Sequence, residues 1–328
     1  MFSDVIGHKE VIKRLKNSLR SGRIANAYIF SGPVGVGKEF VAINFAKALN
    51  CLSDGEDSCS DCIACRKIDD GNYADVMVIR PEGTRLKIDQ MRSLQHSGSY
   101  RAMEGNYKVY IITEAEKMTA EAANSLLKTL EEPPGAMVLI LLTSVYSALL
   151  PTIRSRCQSV KFSLVPPALL SDELIKRFGL SDSKAKWVAL RSQGKVGDAL
   201  KLMEKDDEDV EDDISSSFMD LSRKNGGSLL HVFKKAESLG KMQDPFDMLL
   251  SWYRDLLLIK QGCPYELLIH SDKKSELERM ADNYSGIQIE KLIRTILKTQ
   301  NLIQRNVNSN LALEVMMLHS FKALSKRL

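Results

Sequence analysis

A chain of 328 residues with 44% hydrophobic and 27% charged side chains has the composition of a folded protein of two or three domains and excludes a mostly disordered one. Its longest apolar run, residues 136–143, is strand-sized against the ~18–20 residues that cross a bilayer, and MFSDVIGHKE lacks the basic-then-apolar order of a secretory leader, so a cytoplasmic location is expected. The net charge of +4 hides an asymmetry: residues 204–213 hold eight acids and one lysine, which leaves about +11 on the rest of the chain, enough to tolerate a neighbouring polyanion.

In chain order, the first predicted strand covers 27–31 and a helix covers 39–50. Between them runs Gly32-Pro33-Val34-Gly35-Val36-Gly37-Lys38. This is G-x-x-x-x-G-K after a strand and before a helix, the setting in which a P-loop binds phosphate. Gly32, Gly35 and Gly37 let backbone N–H groups curl around phosphate oxygens, and Lys38 neutralises them. The next position of a working P-loop carries Ser or Thr for Mg²⁺; here it is Glu39. A carboxylate ~4 Å from a phosphate charge costs about 4 kcal/mol at an effective dielectric of 20. Glu39 either binds the metal itself on an overlong arm or turns to solvent as a first-turn helix acid.

Cys51, Cys59, Cys62 and Cys65 follow in the spacing C-x7-C-x2-C-x2-C. In a cytosolic chain that cluster suits tetrahedral, structural Zn²⁺; an iron–sulfur cluster and four reduced thiols are the competing readings. Strands are expected at 75–79 and 108–113, the second ending in Thr113-Glu114-Ala115-Glu116. An apolar strand ending in acids reads as a Walker B element with Thr113 in the place of the metal-holding Asp and Glu114 in the place of the Glu that orients water. A helix at 120–130 and strands at 137–143 and 159–162 complete an alternation that predicts a parallel sheet covered by helices.

After Val165-Pro166-Pro167 no strand is expected. Residues 168–203 read as short helices broken at Gly179 and Gly194, and the acidic run reads as an exposed connection or helix end. Amphipathic helices are expected at 214–223, 229–239, 245–261, 273–283, 287–306 and 311–324. The predicted organisation is an α/β domain over 1–165 with the cysteine module at 51–65, a small helical domain over 166–207 and an all-α domain over 208–328.

Two stretches carry a family resemblance: Asn124-Ser125-Leu126-Leu127-Lys128-Thr129-Leu130-Glu131-Glu132-Pro133-Pro134, and Leu150-Pro151-Thr152-Ile153-Arg154-Ser155-Arg156-Cys157-Gln158. Together with the P-loop, the cysteine cluster, Ile88-Asp89-Gln90-Met91-Arg92 and the C-terminal Asn306-Val307-Asn308 before Leu311-Ala312-Leu313-Glu314, they resemble the clamp-loader branch of AAA+ ATPases, in its bacterial DNA polymerase III form. The resemblance implies a RecA-like AAA+ P-loop domain with a zinc-binding insertion, a small helical lid and an all-α collar that oligomerises. It implies a place in a five-membered ring, beside gamma/tau and delta subunits, that opens a sliding clamp and loads it on primed DNA. It makes Arg156, the arginine of Ser-Arg-Cys, a catalytic arginine finger reaching in trans into a neighbour's nucleotide site.

Set against the motor subunits of that family, Glu39 and Thr113 are departures, and Gly197 stands where a nucleotide-sensing arginine is expected. Thr143 and Ser144 stand where the family has a polar sensor. These departures imply a subunit that binds nucleotide weakly or without turnover, leaving ATP, ADP and Mg²⁺ open as ligands. They leave Glu114 as a vestigial Walker B acid and give the chain no catalytic activity of its own inside a DNA-directed DNA polymerase holoenzyme. The alternative is an active gamma/tau-type ATPase that uses Lys38 and Glu114 and recruits Glu39 for Mg²⁺. A free-standing zinc-ribbon nucleic-acid binder is a third reading, supported only by Arg66 and Lys67 beside the cysteines.

Overall fold

The computed structural model describes residues 1–53, 55–203, 245–270, 273–304 and 307–325. The acidic run and the helices expected at 214–223 and 229–239 lie outside the described residues. The chain divides into two compact units: Met1–Ala185 with Ser192–Lys201, and Lys186–Arg191 with Leu202–Leu328.

The first unit is built on a five-stranded parallel sheet. Its strands are β1 (Ala27–Ser31), β2 (Val76–Ile79), β3 (Lys108–Ile112), β4 (Met137–Thr143) and β5 (Gln158–Lys161), in the order β2-β3-β4-β1-β5. Every strand pair is parallel, with Ile29 opposite Leu141 and Tyr110 opposite Leu139. Parallel strands need crossovers, and the helices that supply them cover both sheet faces. Side chains alternate accordingly. Tyr28, Phe30, Val109, Ile111, Val138 and Ile140 point to one face, where they pack with Leu15 of α1 (Lys9–Ser21) and Val41 and Phe45 of α2 (Lys38–Asn50). Ile29, Tyr110, Ile112, Leu139 and Leu141 point to the other, against Met91 and Leu94 of α4 (Ile88–Gly98) and Leu126 and Leu130 of α5 (Ala120–Glu131). The central strands β1, β3 and β4 are buried along their whole length, which is why they read as unbroken apolar runs.

The observed strands differ from the expected ones by a residue at four ends, and at three of them the ladder runs on past the strand. Val109 N–H donates to Asp75 O (2.7 Å), Thr113 N–H to Ile79 O (3.0 Å) and Phe162 N–H to Ser31 O (2.7 Å). α3 (Ile63–Asp69) lies between α2 and β2 and seats Ala64 and Ile68 on Tyr73, with Ile43 of α2 packed alongside. Past the sheet come α6 (Pro151–Arg154), α7 (Pro167–Phe178), α8 (Asp182–Arg191) and α9 (Val196–Met203).

Besides the end of α8, the described helices of the second unit include α10 (Pro245–Lys260), α11 (Lys274–Asn283), α12 (Gly286–Gln304) and α13 (Ser309–Ser325). Leu249, Trp252, Tyr253 and Leu256 of α10 share a core with Leu277 and Met280 of α11, Ile289, Leu292 and Ile296 of α12, and Leu313, Met316 and Met317 of α13. Trp252 and Leu256, four residues apart, present the same helical face to that core. A buried polar pair lies inside it: Asp255 is fully buried, and its Oδ2 accepts from the backbone N–H of the buried His270 (2.9 Å) and from His270 Nδ1 (3.0 Å).

Candidate phosphate site, metal centre and exposed arginine

The loop 32–38 joins β1 to α2 and forms a glycine-rich cradle. Gly35 and Gly37 have φ of +81° and +97°, a region that a side chain disfavours. The cradle is held from several sides. Gly32 N–H donates to Thr143 O at the end of β4 (3.1 Å). His8 Nε2 lies 2.9 Å from Val36 O; a carbonyl only accepts, so Nε2 carries the proton. Burial pushes the His8 imidazole down, partly opposed by that carbonyl. Gly197 N–H, in the first turn of α9, donates to Gly35 O at 2.8 Å. A Cβ on residue 197 would stand 3.2 Å from that oxygen, so the approach fits glycine. The Asp198 carboxylate rests over Gly35, where a Cβ would meet its Oδ1 at 3.3 Å.

Lys38 turns back into the loop: its Nζ donates to Gly32 O (2.5 Å) and Pro33 O (2.7 Å). Burial pushes its ammonium down, and the Glu116 carboxylate opposes that. Glu39 turns neither into the cradle nor to bare solvent. Arg80, one residue past β2, grips it with both terminal nitrogens, Nη2 to Oε1 at 2.5 Å and Nη1 to Oε2 at 3.2 Å. Thr113 is buried and its hydroxyl donates to Ile79 O (3.3 Å).

Glu114 takes a left-handed backbone (φ +49°) and ion-pairs with Lys117. That turn brings Glu116 rather than Glu114 to the end of β4. Glu116 Oε1 accepts from Ser144 N–H (3.2 Å) and from its hydroxyl (2.5 Å), while Oε2 is buried without a protein partner. Burial pushes the Glu116 carboxyl up, but the Ser144 hydroxyl and neighbouring donors outweigh it and hold the group below the usual carboxylate range. Glu116, Arg80 and His8 are site residues that sequence reading missed. The left-handed turn at Glu114 carries no motif, and Arg80 is 41 residues from its partner.

A cavity of about 780 Å³ adjoins Gly37, with Val5, Val36, Phe40, Phe178, Val196 and Leu200 in its wall. Its size and apolar lining suit a planar base or another small molecule.

The four clustered cysteines meet where α2 ends and α3 begins. Cys51 directly follows α2, and Cys62 caps α3 by accepting the Cys65 N–H on its sulfur. Their sulfur atoms lie within 4.8 Å of one another. Measured pairs are 3.5 Å (Cys51–Cys59), 3.8 Å (Cys51–Cys65) and 4.0 Å (Cys51–Cys62 and Cys59–Cys65). Four sulfurs ~2.3 Å from one zinc ion stand about 3.8 Å apart, so the set fits a tetrahedral metal with no open position. Backbone N–H groups of Cys59 and Cys62 point at the Cys51 and Cys59 sulfurs (both 3.3 Å), as thiolates require. The N–H groups of Asp61 and Cys62 hold the Cys59 thiol down to about 5. The remaining cysteine near a motif, Cys157, has its thiol pushed up to about 12 by burial, which makes it unreactive.

Arg156 follows α6 and is exposed. Its Nη2 pairs with Glu131 Oε1 at 2.7 Å and its Nη1 donates to Thr152 O at 3.1 Å. The preceding Arg154 stacks over the Tyr146 ring, 5.4 Å from its centre.

A parallel sheet in this strand order, with a P-loop after β1 and a helical segment closing over it, defines an AAA+-type P-loop protein, here with Glu39 after the loop lysine, Thr113 after β3 and a cysteine insertion. Residues 7–166 match the family model described as "DNA polymerase III, delta subunit", and residues 214–320 match "DNA polymerase III, delta subunit, C terminal". The chain is 32% identical over 305 residues to DNA polymerase III subunit delta' of Bacillus subtilis, covering 91% of each. It is 30% identical over 304 residues to the tau subunit of the same organism, covering 85% of this chain and 54% of tau. To the gamma subunit of Buchnera aphidicola from Acyrthosiphon pisum it is 34% identical over 214 residues, covering 62% of this chain and 58% of that one. The chain belongs to the delta-prime family of DNA polymerase III subunits.

Proposed function

We propose that this chain is a clamp-loader subunit of DNA polymerase III that does not hydrolyse ATP and lends Arg156 to a neighbouring ATPase subunit. In this reading it sits in a hetero-pentameric ring with gamma/tau and delta subunits, in the cytoplasm, and helps place the sliding clamp on primed DNA. Residues 166–207 act as the lid and residues 208–328 as the collar that joins the ring.

The observation that carries the non-hydrolysing half is the Glu39–Arg80 pair. The position whose hydroxyl would hold Mg²⁺ carries a carboxylate, and that carboxylate is tied outward by two hydrogen bonds. Thr113 replaces the second metal anchor and spends its hydroxyl on Ile79. Without a metal between the phosphates, the negative charge that develops in transfer has one fewer counter-charge. Arg156 supports the other half: an exposed guanidinium suits a neighbour's γ-phosphate, where an arginine supplied in trans is worth ~10³–10⁵ in rate.

The test uses the purified chain and the reconstituted loader. The chain alone is expected to turn over no ATP. Arg156→Ala is expected to leave its melting temperature unchanged and to lower the DNA-stimulated ATPase of the loader at least about tenfold at the affected site. Turnover by the isolated chain that is lost in Lys38→Ala would favour an active motor subunit instead.

A further inference from the structure

We propose that Glu131 is a positioning residue for Arg156, holding its guanidinium in the orientation in which a neighbouring subunit meets it. The proposal rests on the reading of Arg156 as an arginine that acts in trans.

A guanidinium carries five N–H donors in one plane. Two acceptors on different nitrogens fix that plane, and Arg156 has them: Glu131 Oε1 on Nη2 and Thr152 O on Nη1, the latter shared with Ser155 Oγ at 3.5 Å. They come from two packed elements, the last residue of α5 and the short α6. The remaining donors are left for an acceptor that a neighbour brings.

Stability does not explain the pair. The Arg156 side chain is 37% exposed and that of Glu131 52%, and ion pairs so exposed add little to folding. The place of Glu131 on its helix points the same way. It is the final residue of α5, where the negative end of the helix dipole disfavours a carboxylate. The chain nevertheless carries two acids in succession there, Glu131 and Glu132, before Pro133 ends the helix. A carboxylate in an unfavourable place, spent on an exposed arginine, is accounted for by what it does to the arginine.

Glu131→Gln keeps the shape of the side chain and removes its charge. In the reconstituted loader it is expected to lower kcat of the DNA-stimulated ATPase about fivefold with KM for ATP unchanged, since orientation in trans acts on the transition state. Glu131→Asp, which keeps the charge, is expected to recover part of that loss. In the Arg156→Ala background Glu131→Gln is expected to cost nothing further. Full activity in Glu131→Gln, a rise in kcat, or an equal loss with and without Arg156 would each overturn the proposal while leaving the trans role of Arg156 standing. If Arg156→Ala itself keeps full activity, that role fails and the proposal with it. Thermal unfolding of each purified variant checks that the fold is intact.

Discussion

At Glu39 a charge that would repel phosphate is cancelled by Arg80, so the cradle keeps a negative side chain next to Lys38 at small electrostatic cost. The pair disposes of the carboxylate but does not restore a metal ligand. Restoring both anchors is therefore the informative change. Thr113 is buried and donates to a carbonyl, whereas an ionised aspartate there cannot donate. Glu39→Thr with Thr113→Asp is thus expected to lower stability by about 1–3 kcal/mol while creating a Mg²⁺ grip. Titration calorimetry should find ATP affinity at least about tenfold higher with Mg²⁺ than with EDTA in the double variant, a difference of ~1.4 kcal/mol. The unaltered chain should show no such Mg²⁺ dependence. An equal response in both proteins would mean that Glu116, or another group, already holds the metal.

Among the elements, α3 depends most on something outside its own sequence. Seven residues are too few for a helix to persist by propensity, and its apolar contacts are a small cluster, Ala64 and Ile68 on Tyr73 with Ile43 and Val76 alongside. Its start is fixed by sulfur, since Cys62 accepts the Cys65 N–H. Removing the metal leaves four thiolates about 4 Å apart, which must protonate or separate. A strong chelator, or Cys62→Ser, is therefore expected to raise amide exchange in 51–69 at least about tenfold while β1, β3 and β4 keep their protection. Unchanged exchange in a protein shown to be metal-free would sink that dependence. The cluster was readable because its chemistry is spelled out in spacing, and the strands because burial on both faces leaves an unbroken apolar signal. What was not readable is long-range or depends on backbone sign. Lys47 reaches from α2 to Ser60 (3.0 Å) and Asp69 (2.6 Å) to anchor the insertion, and no local pattern announces it. The left-handed turn that exchanges Glu114 for Glu116 is equally silent, as is the closing of Gly197 onto Gly35. The sequence marked Gly197 only as a missing arginine; the backbone bond that glycine permits belongs to the tertiary structure.

Over the whole molecule, the two units have separate hydrophobic cores, and each contains a buried aspartate on which a segment hangs. Asp75 gathers the loop before β3: its carboxylate accepts from the backbone N–H groups of Met103 (2.9 Å), Glu104 (2.7 Å) and Gly105 (2.9 Å). Burial pushes that carboxyl up, but the three N–H groups outweigh it and hold it below the usual range. A depressed value in the folded state stabilises at pH above the ordinary ~3.9 and loses that contribution as pH falls further. Asp75→Asn should cost about 1.5–3 kcal/mol at neutral pH, with the deficit closing below pH ~4. In the other unit, Asp255→Ala leaves the His270 N–H and Nδ1 without their acceptor inside the core, a loss of about 3–5 kcal/mol. Because the cores are distinct, calorimetry is expected to resolve two transitions. Asp75→Asn should lower one of them and Asp255→Ala the other, and the double variant should show both shifts unchanged in size. A single transition moved by either substitution would instead make the two units one cooperative body.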